Sequence, residues 1–236
     1  MKKTEMNKIE EFEKVIGTTF LNKQLLKDAL THRSYVNEHK ECKTHNERLE
    51  FLGDAVLELV VSDYLFNKFL TRPEGELTSF RSALVKTESL ADTATTLNIG
   101  EYMFLSKGEE DTGGRTKNYL LANTFEAIIG AMYLDQGYTA CKEFIYAHLV
   151  EKLSDIVKNR LDIDSKTKIQ EMAQAKYKVT PVYEVVDEKG PDHDKEFTVV
   201  VKINSNVIGE GKGSSKQRAE EDAATKGIEY IKKDNK

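Results

Sequence analysis

Cysteine is nearly missing from this 236-residue sequence: Cys42 and Cys141 are the whole complement, with no CxxC pair and no Cys/His group at zinc-finger spacing. A disulfide framework and a structural zinc site are therefore excluded as organising devices, and a reducing compartment, the cytoplasm, is the expected setting. Long apolar runs are missing too. The opening MKKTEMNKIEEFEKVIG is basic at first but lacks the apolar stretch of a signal peptide, and no segment approaches the roughly 18 apolar residues of a membrane span, so no membrane partner is expected. Positive charge is short: 35 Lys and Arg against 40 Asp and Glu give a net charge of −5, which argues against a generic polyanion binder. The shortage is uneven. From Ser165 onward 14 Lys and Arg meet 13 Asp and Glu, a net +1, whereas the residues before it carry 21 against 27, a net −6.

That acidic surplus surrounds NERLEFLGD, residues 46–54, where Glu47, Glu50 and Asp54 are spaced three and four apart. On a helix they rise along one face while Leu49, Phe51, Leu52 and Val56 supply apolar contacts. Two readings stand: an ordinary solvated helix face, or a stripe waiting for an outside positive charge, most simply a divalent metal. The helix continues through DAVLELVVSDYLFNKF, residues 54–69, apolar around most of its circumference and therefore buried.

Upstream, residues 5–16 and 22–31 have helical periodicity, with Asn22 as the cap of the second. Residues 31–45, THRSYVNEHKECKTH, read as a polar loop, in which His32, His39 and His45 lack metal-ligand spacing and take surface or loop-packing roles. Downstream, Arg72-Pro73-Glu74-Gly75 breaks the central helix, and residues 77–99 start a new one with Thr78 as its cap. Residues 98–118 read as an exposed loop. A second strongly apolar helix follows at 119–138, with Asn123 and Glu126 one turn apart. A buried Glu costs several kcal/mol unless paired or ligated, so a shared metal explains the pair better than a Glu turned to solvent at a helix edge. A further amphipathic helix closes this part near residue 158.

A polar linker at 159–164 separates residues 1–158 from residues 165–236, where the period alternates between 3.6 and 2. TKIQEMAQAKYK reads as a helix with Ile169, Met172 and Ala173 inward; PVYEVVDEKG, KEFTVVVKIN and SNVIGEGKG read as strands; SSKQRAEEDAATKGIEYIKK reads as a final helix. The expected fold is mostly α: an all-helical domain, then a small α+β domain in α-β-β-β-α order with both helices on one face of an antiparallel sheet.

Two stretches resemble the ribonuclease III family. NERLEFLGD is similar to its signature helix and LANTFEAIIGAMYLD to the second acidic helix of its active site, with THRSY and PEGELTSFRSALVKTESLA also fitting. Residues 165–236 resemble a double-stranded-RNA-binding domain through TKIQEMAQ, the loop GPDHDKEF and the turn GKGSSKQRAEEDAA. The resemblance implies a homodimeric endonuclease that hydrolyses double-stranded RNA with Mg²⁺, for which Mn²⁺ can substitute and no small-molecule cofactor is needed. It implies 5′-phosphate and 3′-hydroxyl ends with short 3′ overhangs, and processing of ribosomal RNA precursors and some messenger and transfer RNA precursors. Residue by residue, it assigns Glu50, Asn123 and Glu126 to the metal and Asp54, with Glu126, to catalysis. Glu47 and Glu74 fall on positions linked with substrate and dimer contacts, and Phe51 on one that plugs the partner subunit. One departure stands out: Asn123 takes a place more often held by Asp, so weaker metal affinity is expected.

In the second domain the resemblance assigns RNA contacts to Gln170 and Gln174 on the first helix, to His193 in the loop, and to Lys212, Lys216 and Arg218 at the start of the last helix. An A-form duplex offers its wide minor groove and 2′-hydroxyls to such a polar helix, and its phosphates to the cations. Gln217 replaces a usual basic residue and Glu220 to Asp222 follow closely, so a weakened phosphate clamp is expected. The alternative from another class is a regulator that binds duplex RNA without cutting it. An all-helical nucleotide phosphohydrolase is disfavoured by the absence of a His/Asp metal set and by the RNA-binding tail.

Overall fold

The computed structural model describes residues 2–160, 162–191 and 195–233. The chain forms two compact units that divide between Asp162 and Ile163. Among the described residues no helix is long and apolar enough to cross a membrane.

The first unit is helical. Helix α1, Lys3–Ile16, buries Ile9, Phe12 and Ile16 and stops where Gly17 turns left-handed at φ 66°. Helix α2, Lys23–Leu30, starts as the sequence suggests, with Asn22 accepting a hydrogen bond from Gln24 N at 3.1 Å. The polar stretch after it is not all loop. Helix α3, Arg33–Glu38, occupies six of its residues, capped by His32 in place of the usual Ser, Thr, Asp or Asn. So short a helix shows no period. Helix α4, Glu47–Lys68, is the central helix.

The next expected helix is two: α5, Glu74–Val85, and α6, Thr87–Thr96, separated by extended backbone at Lys86. Thr78 is not a cap. It lies inside α5, one turn from Glu74, to which its hydroxyl donates at 2.8 Å, and Pro73 takes the cap position. The segment read as an exposed loop contains α7, Ile99–Tyr102, and α8, Lys107–Asp111, and buries Met103, Phe104 and Leu105 between them. Phe104 N donates to Leu30 O at 2.8 Å and His32 N to Phe104 O at 3.0 Å, so apolar residues there are sewn into the core. Its Gly and charged residues mask a three-residue apolar run that periodicity cannot detect.

Helix α9, Asn118–His148, is interrupted by Gly137, whose φ 78° and ψ −173° are open only to glycine. The closing helix is also shorter than expected, because a 3-10 turn at Val150–Lys152 separates α9 from α10, Leu153–Asn159. Helices α4 and α9 cross at their backbones. A Cβ on Gly53 would overlap the Glu126 carbonyl oxygen, and one on Gly130 would overlap that of Leu49. Leu57, Val60 and Val61 of α4 and Phe125, Ile128 and Ile129 of α9 are fully buried around that crossing.

The second unit has the anticipated α-β-β-β-α order. Helix α11, Ser165–Tyr177, is capped by Asp164, which accepts from Thr167 N at 2.9 Å. Strands β1, Val182–Lys189, β2, Glu196–Ile203, and β3, Asn206–Gly213, pair antiparallel in sequence order, and α12, Lys216–Lys233, follows. Alternate β2 residues Val199, Val201 and Ile203 join Ile169 and Ala173 of α11 and Ala223 and Ile228 of α12 in one core. Met172 packs against it, half-buried.

Candidate active site

Glycine determines how the acidic residues meet. With no side chain at Gly53 or Gly130, α4 and α9 touch, and the helical rise then carries Glu47, Glu50 and Asp54 up one wall and Asn123 and Glu126 up the other. The group is electrostatically joined. Burial, then the charges of Asp54 and Glu50, push the Glu126 carboxyl up to about 7. Burial also raises Glu50, helped by Glu47 and Asp54 and opposed by a hydrogen bond from the Asn123 amide. The structure thus brings Glu47, Glu50, Asp54, Asn123 and Glu126 together.

Among the described residues, none of Glu50, Asp54 and Glu126 forms an ion pair with a Lys, Arg or His. Glu47 differs: Arg33 Nη1 stands 3.3 Å from it and His45 Nδ1 3.9 Å. No three His, Cys, Asp or Glu side chains among the described residues converge at metal-binding distance. That does not disqualify the donor set, because Mg²⁺ takes one or two carboxylates and keeps several waters, and an uncompensated group of oxygen donors that repel one another suits a hard divalent cation. Glu50, Asn123 and Glu126 fit such an ion on chemistry.

Glu74 and Phe51 are the other candidates in this unit. Glu74 is exposed in the first turn of α5 with Thr78 as its hydrogen-bond partner. Phe51 is 81% exposed and lies beside a cavity of about 780 Å³ whose lining includes Leu25, His45, Arg48, Leu52 and Leu134.

In the second unit Gln170 and Gln174 are exposed one turn apart on α11, opposite buried Ile169 and Ala173. Lys212, Lys216 and Arg218 are exposed around the start of α12, with Arg218 Nη1 donating to Ser214 Oγ at 3.1 Å. His193 lies outside the described residues. The acidic run that threatened the basic clamp is engaged by the fold: Glu220 pairs with Lys166, Glu221 accepts from Ser165 N, and Asp222 accepts from Lys212 N and pairs with Lys226. Sequence reasoning missed Arg33 and His45 as neighbours of Glu47. The signal was THRSY together with a histidine immediately before Asn46, but residues 33 and 47 meet only in the folded chain.

The Ribonuclease-III-like family model matches residues 22–153, and the double-stranded RNA binding motif matches residues 165–231. The chain belongs to the ribonuclease III family. It is 46% identical over 230 residues to the Ribonuclease 3 of a Nitratiruptor species, covering 98% of this chain and 100% of that protein. With the Ribonuclease 3 of Geobacillus thermodenitrificans it shares 47% identity over 227 residues, covering 95% and 92%. The nuclease domain of ribonuclease III from Campylobacter jejuni superimposes with a TM-score of 0.57 at 43% identity, covering 61% of this chain and 96% of that one. This ribonuclease III chain is accordingly an endoribonuclease, a phosphodiester hydrolase with a helical nuclease domain and a double-stranded-RNA-binding domain. Both acidic helices lie within the nuclease match, and α11 and all but the last two residues of α12 within the second.

Proposed function

We propose that the chain cleaves double-stranded RNA in a divalent-metal-dependent reaction, with Mg²⁺ as the metal and Mn²⁺ as its substitute, leaving 5′-phosphate ends. The observation that carries this reading is the uncompensated set Glu50, Asp54 and Glu126 on two helices held in backbone contact. Glu50 and Glu126 would hold the metal together with the Asn123 amide oxygen. A cation bound there supplies an activated water and positive charge for the phosphate oxygens. Asp54, exposed one turn above Glu50, accepts a hydrogen bond from the incoming water and holds it in line. Glu126, pushed up to about 7 by burial and the charges of Asp54 and Glu50, would have to release its proton to water to serve as a ligand. No Ser, Cys or His nucleophile takes part.

The duplex is held by Gln170 and Gln174 in the minor groove and by Lys212, Lys216 and Arg218 on phosphates, with His193 and Glu74 as further contacts. The working form is a homodimer in which each subunit cuts one strand. Support comes from exposed Phe51 beside a cavity large enough for an aromatic ring, and from the Campylobacter jejuni nuclease domain, described as having a region involved in dimer formation. Its setting is the cytoplasm, and its substrates are ribosomal RNA precursors and some messenger and transfer RNA precursors.

Cleavage of a labelled long RNA duplex tests the reading. The unmodified chain is expected to cut in Mg²⁺ and to bind without cutting in Ca²⁺, while Glu126→Gln binds but loses cleavage by about 10³-fold or more, the scale set by an essential electrostatic group. Binding without cleavage by the unmodified chain at every Mg²⁺ concentration would replace this reading with a non-cutting regulator.

A further inference from the structure

Of the three carboxylates Glu47, Glu50 and Asp54 at the start of α4, Glu47 is the one with cations beside it among the described residues. Arg33 Nη1 lies 3.3 Å from its Oε1 and His45 Nδ1 3.9 Å from its Oε2. The second distance is too long for a hydrogen bond, and His45 Nδ1 is shielded from solvent with no hydrogen-bond partner. His32 lies near the same group, where burial first of all lowers its proton affinity. Arg33 is therefore the fixed cation one helical turn from Glu50.

The fold holds this cluster in place. His32 Nδ1 lies 2.8 Å from Ser34 Oγ, which accepts from Ser106 N at 3.1 Å. Lys107 N donates to Glu38 Oε2 at 3.0 Å. These bonds tie both ends of α3 to the segment that leads into α9, so Arg33 is registered against the two acidic helices rather than carried on a loose loop.

Stability gives little reason for that registration. The Arg33 side chain is 69% exposed and that of Glu47 47% exposed, and pairs so exposed add little to folding. A guanidinium has five N–H donors in a planar fork that matches phosphate, and Glu47 uses one edge of it. A surface bearing Glu47, Glu50, Asp54 and Glu126 repels an approaching phosphate strand, so a fixed cation at its rim has its largest effect on substrate entry.

We propose that Arg33 is a phosphate contact for the RNA strand next to the scissile bond, kept in place by Glu47 and flanked by His32 and His45. The inference rests on the double-strand nuclease reading above. Glu47 acts as a tether for the guanidinium, and the contact reads backbone rather than sequence.

The test measures cleavage of a long RNA duplex in Mg²⁺ across a range of KCl concentrations by the full chain, Arg33→Ala and Arg33→Lys. Arg33→Ala is expected to raise KM about tenfold with kcat within about twofold, and to flatten log KM against log salt by about one phosphate contact. Arg33→Lys keeps the charge but not the fork, so it restores the salt slope and only part of the KM. An Arg33→Ala chain with unchanged KM and slope, beside an unmodified chain that cuts normally, overturns this inference alone. A fall in kcat at constant KM also overturns it, since Arg33 would then act through the acidic centre. Failure of the unmodified chain to bind or cut the duplex overturns the nuclease reading and the inference with it.

Discussion

Gly53 in the first unit and Gly209 in the second occupy equivalent packing situations, yet the charges around them are treated in opposite ways. A Cβ on Gly53 would strike the Glu126 carbonyl, and one on Gly209 would strike that of Ala223, so each glycine lets an element lie directly on its neighbour's backbone. Around the α12 contact, Glu220, Glu221 and Asp222 each find a lysine or a backbone N–H. Around the α4–α9 contact, Glu50, Asp54 and Glu126 have no cation partner among the described residues, and burial together with neighbouring carboxylates raises the proton affinity of Glu50 and Glu126. Charges that the fold neutralises belong to the scaffold, and charges brought together uncompensated await something from outside.

The sharpest way to break this comparison is to separate the backbones. Gly53→Ala forces α4 away from α9 and is expected to lower cleavage by about 10²-fold, the penalty of a misplacement near 1 Å, while duplex binding persists. Gly209→Ala is expected to do the reverse, weakening duplex binding while the nuclease unit keeps its helical melting transition. Cleavage and binding assays on both variants check this, and equal losses from both would erase the distinction.

A second expectation concerns Asn123. An aspartate there adds a charge where the amide now only hydrogen-bonds Glu50. Asn123→Asp is expected to lower the Mg²⁺ concentration for half-maximal cleavage several-fold, and a titration giving an equal or higher requirement would contradict it.

The smallest effect is on stability. The folded Glu126 carboxyl titrates near 7 against an ordinary 4.5, so the folded chain retains a proton that the unfolded chain releases. With divalent metal chelated, this group's contribution is therefore most favourable below about pH 4.5 and declines as pH rises to about 7. The melting temperature of the unmodified chain relative to Glu126→Gln is expected to fall by a few degrees over that interval, at roughly 2–4 °C per kcal/mol. If Glu126 is a metal ligand as proposed, cleavage at limiting Mg²⁺ is expected to run the other way and rise with pH, because a ligand carboxylate must lose its proton.

Much of this architecture was legible in the chain. The spacing of Glu47, Glu50 and Asp54, and of Asn123 and Glu126, located both walls of the candidate site because helical repeat converts sequence distance into a shared face. The α-β-β-β-α order followed from periods of 3.6 and 2. What stayed hidden was non-local or too short to have a period: α3, the burial of Met103 to Leu105, the break at Lys86, and the meeting of Arg33 with Glu47. Gly53 and Gly130 were visible as glycines inside apolar helices, but their role needs both helices present. The acidic run after Arg218 looked damaging because linear order cannot show that Lys166 and Ser165 receive it.

The break at Gly137 has a consequence for how this molecule tolerates change. Asp135, just before it, accepts from Leu21 N and Asn22 N at 2.8 Å each, and Gln136 donates to Thr19 O at 3.2 Å. The half of α9 that carries Asn123 and Glu126 is thus anchored at its own end, ahead of the point where the helical register is lost. Insertions, deletions or fraying beyond residue 137 are absorbed at that seam, as slack is taken up at an expansion joint, and Asn123 and Glu126 keep their phase against α4.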